Sequence, residues 1–270
     1  MFLKAAVNGG RLRTEHPAVP LTPAELAADV LAVTAAGADV VHLHVRDEAG
    51  GQTIRPDALA EVLRAVRAMA PGAVVGTTTG LWTCSGPEER YALVEAWDVL
   101  PDFASVAFGE EGAAETAALV VARGMELESA VWSLDDVPAL LASPTLHRNV
   151  RILIEPMDED PDTAVAHARA MADAVLAAGV TCPILYHGEE ATVWPVLRAA
   201  LADGRQARIG FEDGLELPDG TTAPDNRALV AAARALAPEQ PASPARAGAE
   251  SEAGAGTGAS EERAGEVSPA

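Results

Sequence analysis

The chain has 270 residues, of which 49% are hydrophobic, and a formal net charge of −21 at pH 7. This length and composition allow one large domain with a substantial core, and the negative charge argues against binding to nucleic acid or anionic membranes. The two cysteines have no Cys-x-x-Cys spacing, and the chain has neither a basic leader nor an apolar run of about 18 residues. We therefore expect a soluble cytoplasmic protein.

Short β-rich runs recur roughly every thirty residues, and each precedes an Ala-, Leu- and Val-rich segment with helical spacing, which predicts a parallel sheet. The first helix should begin at Thr22-Pro23-Ala24-Glu25, which has the capping-box pattern, and Ser85-Gly86-Pro87-Glu88 resembles it. The predicted strands are Leu3–Asn8, Val40–Val45, Ala73–Thr78, Phe103–Phe108, Leu127–Trp132, Val150–Glu155, Pro183–His187 and Ala207–Phe211.

Eight strand–helix pairs in about 238 residues predict a (β/α)8 TIM barrel at the small end of its size range. An open doubly wound sheet is the alternative, but Asn8-Gly9-Gly10-Arg11 after the first strand lacks the third glycine of a dinucleotide-binding turn. Residues 239–270 are mainly Ala, Gly, Pro, Ser and Glu, which bury too little apolar surface to offset the entropy of ordering. We predict a barrel domain over 1–238 and a disordered tail over 239–270.

Two histidines, His42 and His44, fall on the same face of the second predicted strand, because side chains alternate along a strand. They stand near its carboxyl end, where barrel enzymes keep their chemistry. Such a pair forms half of a metal site or, alternatively, a pair of hydrogen-bonded core imidazoles. Further candidate ligands elsewhere in the sequence are needed to distinguish between these two interpretations.

The last predicted strand supplies the partners in Arg208-Ile209-Gly210-Phe211-Glu212-Asp213. By alternation Arg208 and Glu212 share the inward face, so Glu212 would complete a set of two histidines and one carboxylate with an open coordination position. A buried arginine there suggests an anionic group in the substrate. Asp213, on the other face, is either a general base or a turn-stabilising residue.

The turn Thr77-Thr78-Thr79-Gly80 offers hydroxyl and backbone N–H groups suited to a substrate carboxylate, although at least one of the threonines should only pack. His187 and Glu155 end two further strands and are candidates for supporting or alternative ligands. The remaining histidines are expected at the surface: His16, His147 and His167.

These motifs resemble the β-keto acid cleavage enzymes, the family that includes the 3-keto-5-aminohexanoate cleavage enzyme. The specific blocks are His-Leu-His-Val-Arg-Asp at 42–47 and Arg-x-Gly-x-Glu-Asp at 208–213, supported by the segments 20–25, 78–80 and 217–220. The resemblance runs over nearly the whole predicted barrel.

The resemblance implies a TIM-barrel acyltransferase in which a small β-keto acid and acetyl-CoA exchange acyl groups to give acetoacetate and a new acyl-CoA. It places one Zn²⁺ per chain on His42, His44 and Glu212, and the activating pair on Arg208 and Asp213. Thr78 stands where the family has a hydroxyl residue for the substrate carboxylate, and Thr79 and Gly80 complete that turn. The family also implies a homo-oligomer, typically a tetramer.

Two segments depart from the family's pattern. Where the family usually has Ser-Leu-Thr-Thr-Gly, this chain has Ser105-Val106-Ala107-Phe108-Gly109. Where the family has a turn of the Phe-Asp-x-Gly type, this chain has Val131-Trp132-Ser133-Leu134. Two alternatives therefore stay open: a zinc-dependent hydrolase of the amidohydrolase type, and a barrel that binds a metal or ligand without turnover. The hydrolase would require further histidines where the chain has Trp132 and Glu155.

Overall fold

Strands and helices alternate along residues 1–236, the part of the chain that the computed structural model describes. The strands are β1 (Leu3–Ala6), β2 (Val40–Leu43), β3 (Val45–Arg46), β4 (Gln52–Thr53), β5 (Val75–Thr78), β6 (Phe103–Ala107), β7 (Glu126–Val131), β8 (Asn149–Ile154), β9 (Ile184–Tyr186) and β10 (Gln206–Ile209). The α-helices are α1 (Pro23–Ala35), α2 (Pro56–Met69), α3 (Pro87–Glu95), α4 (Ala113–Ala122), α5 (Val137–Ala142), α6 (Pro161–Ala177), α7 (Val193–Ala202) and α8 (Asn226–Leu236).

Eight strands close into a parallel barrel in the order β1-β10-β9-β8-β7-β6-β5-β2. The predicted (β/α)8 barrel is confirmed, and the open-sheet alternative is wrong. Since β1 pairs with both β2 and β10, the carboxyl ends of β2 and β10 lie on either side of it, and Ala6 stands in register with His42. The strands β3 and β4 form a small antiparallel hairpin directly after β2, which the sequence analysis did not predict. The predicted tail, 239–270, lies outside the described residues.

The two predicted helix starts have different outcomes. At α1 the Thr22 side chain accepts from the Glu25 backbone N–H and the Glu25 side chain accepts from the Thr22 N–H, so the capping box is confirmed. At α3 the cap position is Gly86, which has no side chain to accept a hydrogen bond. Ser85 instead donates both its backbone N–H and its hydroxyl to Glu89. No helix within residues 1–236 is long and apolar enough to cross a membrane.

The interior of the barrel contains charged side chains, although the layer between the strands and the helices is apolar. Fully buried Glu128 accepts hydrogen bonds from Lys4, Arg151 and, at 2.9 Å, the Ser105 hydroxyl. Burial alone would raise the pKa of Glu128, but the two cations lower it below its ordinary value. The Glu128 carboxylate is therefore ionised and balances the positive charges of Lys4 and Arg151.

Replacing Glu128 with Ala is expected to lower the free energy of unfolding by about 3–5 kcal/mol, because it leaves Lys4 and Arg151 buried without an anion. The control is Glu126→Ala on the same strand, where the side chain is exposed and the expected change is within about 0.5 kcal/mol. Urea unfolding of both variants measures the difference. Equal stability of the two would show that the cluster does not hold the barrel together.

Candidate active site

The three predicted metal ligands converge at the carboxyl ends of β2 and β10. The Nε2 atoms of His42 and His44 lie 3.0 Å apart, and carboxylate oxygens of Glu212 lie 3.8 Å from the first and 3.4 Å from the second. Both imidazoles are buried. These three side chains form a group able to hold a metal ion, with ligand atoms within 4.8 Å of one another.

The ligand atoms fit a small divalent cation. Tetrahedral coordination with bonds of about 2.0–2.1 Å puts neighbouring ligand atoms about 3.3 Å apart, close to the observed spacings. Within residues 1–236, the Oε2 atom of Glu212 is buried and has no hydrogen-bond partner, although it lies 3.8 Å from Nε2 of His42. A buried carboxylate oxygen without a donor is costly, and a cation at this point would satisfy it.

The protonation states also suit a cation. Burial pushes the pKa of His42 well below its usual range, so the imidazole is neutral and has a lone pair to offer. Burial would raise the pKa of Glu212, but Arg208 and the two histidines hold it well below its ordinary value. The group therefore presents the neutral imidazole of His42 and an ionised carboxylate at neutral pH.

Glu212 reaches the histidines through a turn and not through strand alternation. The strand β10 ends at Ile209, and a Cβ atom at Gly210 would lie 1.9 Å from the carbonyl oxygen of Ala6, so only glycine fits there. The Glu212 backbone N–H then donates to the same Ala6 oxygen at 3.1 Å. The same turn brings Asp213 to Arg208, although strand alternation had placed it on the other face.

Arg208 and Asp213 form a buried ion pair. Arg208 Nε and Nη2 donate to Asp213 Oδ1 at 3.0 and 2.6 Å, and Nη2 also donates to Glu212 at 2.7 Å. Burial raises the pKa of Asp213 above its ordinary value, although Arg208 acts in the opposite direction. The chain itself supplies two carboxylates to this arginine, so its burial does not by itself indicate an anionic group in the substrate.

His187 and Glu155 stand beside this ion pair and not within the metal group. His187 Nδ1 lies 3.8 Å from Asp213 Oδ1, and its Nε2 lies 3.1 Å from Glu155 Oε2. The indole of Trp132, in the segment that departs from the family pattern, donates to the same Glu155 oxygen at 3.1 Å. Their predicted role as alternative ligands is therefore wrong; they line the side of the site next to Asp213.

The threonine turn leaves one hydroxyl proton unused by the chain. Thr77 donates to the Leu43 carbonyl at 2.9 Å and Thr79 to the Ser105 carbonyl at 2.8 Å. Thr78 accepts a hydrogen bond from the Gly80 N–H at 2.9 Å, which leaves its own proton available. Of the three, Thr78 alone is arranged within residues 1–236 to donate to a ligand.

Sequence reasoning missed the side chains that hold the site loops. Asn8 donates to the His44 carbonyl and accepts from the His44 N–H, both at 2.8 Å, and Asn226 accepts from the Phe211 N–H at 2.7 Å. His16 was expected at the surface but is buried, with its ring 4.5 Å from that of Phe211. No spacing pattern in the sequence predicts such contacts, because they join loops that are distant in sequence.

Comparison with known proteins identifies the family. The model of the beta-keto acid cleavage enzyme family matches residues 1–135 and 139–250. The chain belongs to the beta-keto acid cleavage enzyme family. As a member of this family of enzymes it is not an amidohydrolase, and that alternative is set aside.

Two named relatives are similar to the chain over most of its length. A 3-oxoadipate:acetyl-CoA acetyltransferase from Cupriavidus necator is 29% identical over 264 residues, covering 88% of each chain. A 3-keto-5-aminohexanoate cleavage enzyme from Fusobacterium nucleatum is 24% identical over 258 residues, covering 88% of this chain and 92% of the relative.

Among solved structures, ObcA shares the fold. Its apo structure superposes with a TM-score of 0.67 at 18% identity, and its ternary complex with a C4-CoA adduct and oxalate with a TM-score of 0.68 at 17% identity. The match covers 81% of this chain and 61–63% of ObcA. At this identity the likeness concerns the barrel alone.

Proposed function

We propose that this enzyme exchanges acyl groups between a small β-keto acid and acetyl-CoA, with one Zn²⁺ held by His42, His44 and Glu212. The observation that carries the proposal is the convergence of two buried imidazoles on a carboxylate with one buried oxygen that has no donor, in a chain of this family. The acetyltransferase activity of the Cupriavidus relative supports acetyl-CoA as the second substrate.

The atoms of the β-keto acid and acetyl-CoA account for both products, so the exchange needs no further reactant. The bond between the keto carbon and the methylene next to the carboxylate breaks, and the methylene carbon takes the acetyl group of acetyl-CoA. The departing acyl group is joined to the CoA sulfur, so the products are acetoacetate and a new acyl-CoA. A divalent cation, when bound, supplies Lewis-acid polarisation of the keto oxygen.

The protein side chains supply the remaining functions. Asp213 takes and returns a proton at the methylene carbon; burial raises its pKa, which makes it a stronger base than an exposed aspartate. Arg208 fixes the position of that carboxylate and places positive charge where negative charge develops on the substrate. Thr78, with Thr79 and Gly80 shaping its turn, donates its free hydroxyl proton to the substrate carboxylate.

A substrate panel tests this proposal. Zinc-loaded enzyme is incubated with acetyl-CoA and each of a series of β-keto acids with different acyl chains, and the CoA esters and acetoacetate are measured by mass spectrometry. We expect equal amounts of acetoacetate and one new acyl-CoA for at least one acid. Stoichiometric zinc without exchange for any acid would favour the barrel that binds metal without turnover. A cytoplasmic location and a homo-oligomer, a tetramer by family resemblance, stay predictions.

A further inference from the structure

The imidazole of His44 has a second contact on the side away from His42 and Glu212. Its Nδ1 atom lies within hydrogen-bond distance of Gln52 Oε1, on strand β4 of the hairpin that directly follows the histidine. The same Gln52 oxygen accepts from the indole Nε1 of Trp82, 3.2 Å away. One amide oxygen thus joins a proposed metal ligand to an aromatic side chain.

The chemistry of these groups fixes the direction of the hydrogen bonds. An indole N–H can only donate, so the Gln52 atom facing it must be the carbonyl oxygen. That oxygen can only accept, so His44 must carry a proton on Nδ1. With Nδ1 engaged in this way, Nε2 is the ring atom left to offer a lone pair to a metal ion, and it faces His42 and Glu212.

Trp82 is held in place by more than this hydrogen bond. Its ring lies almost parallel to that of His44, at 21° with 6.2 Å between centroids. A Cβ atom at Gly80 would lie 2.3 Å from the indole, so the ring rests on the glycine backbone. Yet 53% of Trp82 is exposed, which is unusual for so large an apolar side chain. Burial alone does not account for its position.

We propose that Gln52 and Trp82 are a positioning pair for the metal ligand His44. Gln52 holds the proton on Nδ1 and the ring in its orientation, and Trp82 acts through Gln52 by fixing which end of the amide faces the imidazole. Groups that bind the outer nitrogen of a ligating histidine typically change metal affinity 10–100-fold when removed. The inference rests on the proposed metal site, but it also makes a claim about His44 in the metal-free protein.

Zinc affinity, measured by competition with a chromophoric chelator, tests the pair. Gln52→Leu, which keeps the bulk but removes the acceptor, is expected to weaken zinc binding about 10–100-fold. Gln52→Glu keeps an acceptor for both donors and should restore affinity to within about threefold of the native protein. Because Trp82 acts through Gln52, Trp82→Phe should weaken binding less than Gln52→Leu, and the double variant should equal Gln52→Leu alone.

The matched control is Trp132→Phe, which removes another indole N–H from a carboxylate of the same site, Glu155, without touching His44. Its zinc affinity should be unchanged. Native affinity in Gln52→Leu, or additive effects of the Gln52 and Trp82 substitutions, would overturn the proposal.

A second measurement does not depend on metal binding. The ¹⁵N shifts of His44 in metal-free protein should report a proton on Nδ1 in the native chain and a mixture of tautomers in Gln52→Leu. If the native protein binds no zinc, the proposed function fails, whereas this tautomer change would still support the positioning pair. The same His44 shifts in the native protein and Gln52→Leu would refute it.

Discussion

His42→Ala is expected to lose zinc and, with it, all measurable acyl exchange. The substitution removes one of three ligands whose atoms lie within 4.8 Å of one another. Loss of a ligand should cost more than the 10–100-fold typical for groups that only support a ligand, so we expect zinc affinity to fall more than 100-fold. Equilibrium dialysis with metal analysis measures the affinity, and the substrate assay measures turnover.

His147→Ala is the matched control, because it removes an exposed imidazole just before β8, at the opposite end of the barrel strands from the site. It should bind one zinc per chain and turn over like the native enzyme. Glu212→Gln provides an independent test of the group, since it keeps the shape and removes the charge. Native zinc affinity in both His42→Ala and Glu212→Gln would remove the metal site from this position.

Arg208→Lys is expected to keep zinc within about tenfold of the native affinity and to lower kcat about 100- to 1000-fold. Lysine retains the charge but cannot reproduce the Nε and Nη2 donors that hold Asp213, so the proposed base loses its position. The modest loss of zinc affinity follows from the hydrogen bond that Arg208 also donates to Glu212. Steady-state kinetics with saturating zinc measures the effect.

The control for this substitution is Arg90→Lys. Arg90, on α3, is also buried and paired with a carboxylate, Glu110, at 2.6 Å, but its side-chain hydrogen bonds go to Glu110 and the Glu111 carbonyl and not to Glu212 or Asp213. Its replacement should lower stability and leave kcat unchanged. If Arg208→Lys and Arg90→Lys had the same kcat, the arginine next to Asp213 would have no part in the chemistry.

The fold was predictable because its signals are local and repeated. Strand runs followed by helical segments occur eight times, and the capping box at Thr22 and Glu25 lies where the structure begins α1. His42 and His44 could be placed on one face because the two-residue period holds over β2 and the residue that follows. Closure of the barrel then puts the end of β10 close to that of β2.

The remainder of the site depends on turns, where no period applies. Glu212 lies beside the histidines, as predicted, but the prediction relied on a strand that ends three residues before it, at Ile209. Asp213 was placed on the wrong face for the same reason. Gln52 and Trp82 could not be found, since each lies in a short segment whose path is set by contacts with distant loops.

The most direct test of the metal site is X-ray absorption at the zinc edge, recorded on the loaded enzyme before and after addition of the β-keto acid. We expect one zinc per chain, imidazole nitrogen and carboxylate oxygen ligands, and a change in the oxygen ligands when the acid binds. A spectrum with sulfur ligands from Cys84 or Cys182, or a protein that retains no zinc, would contradict a metal centre at His42, His44 and Glu212.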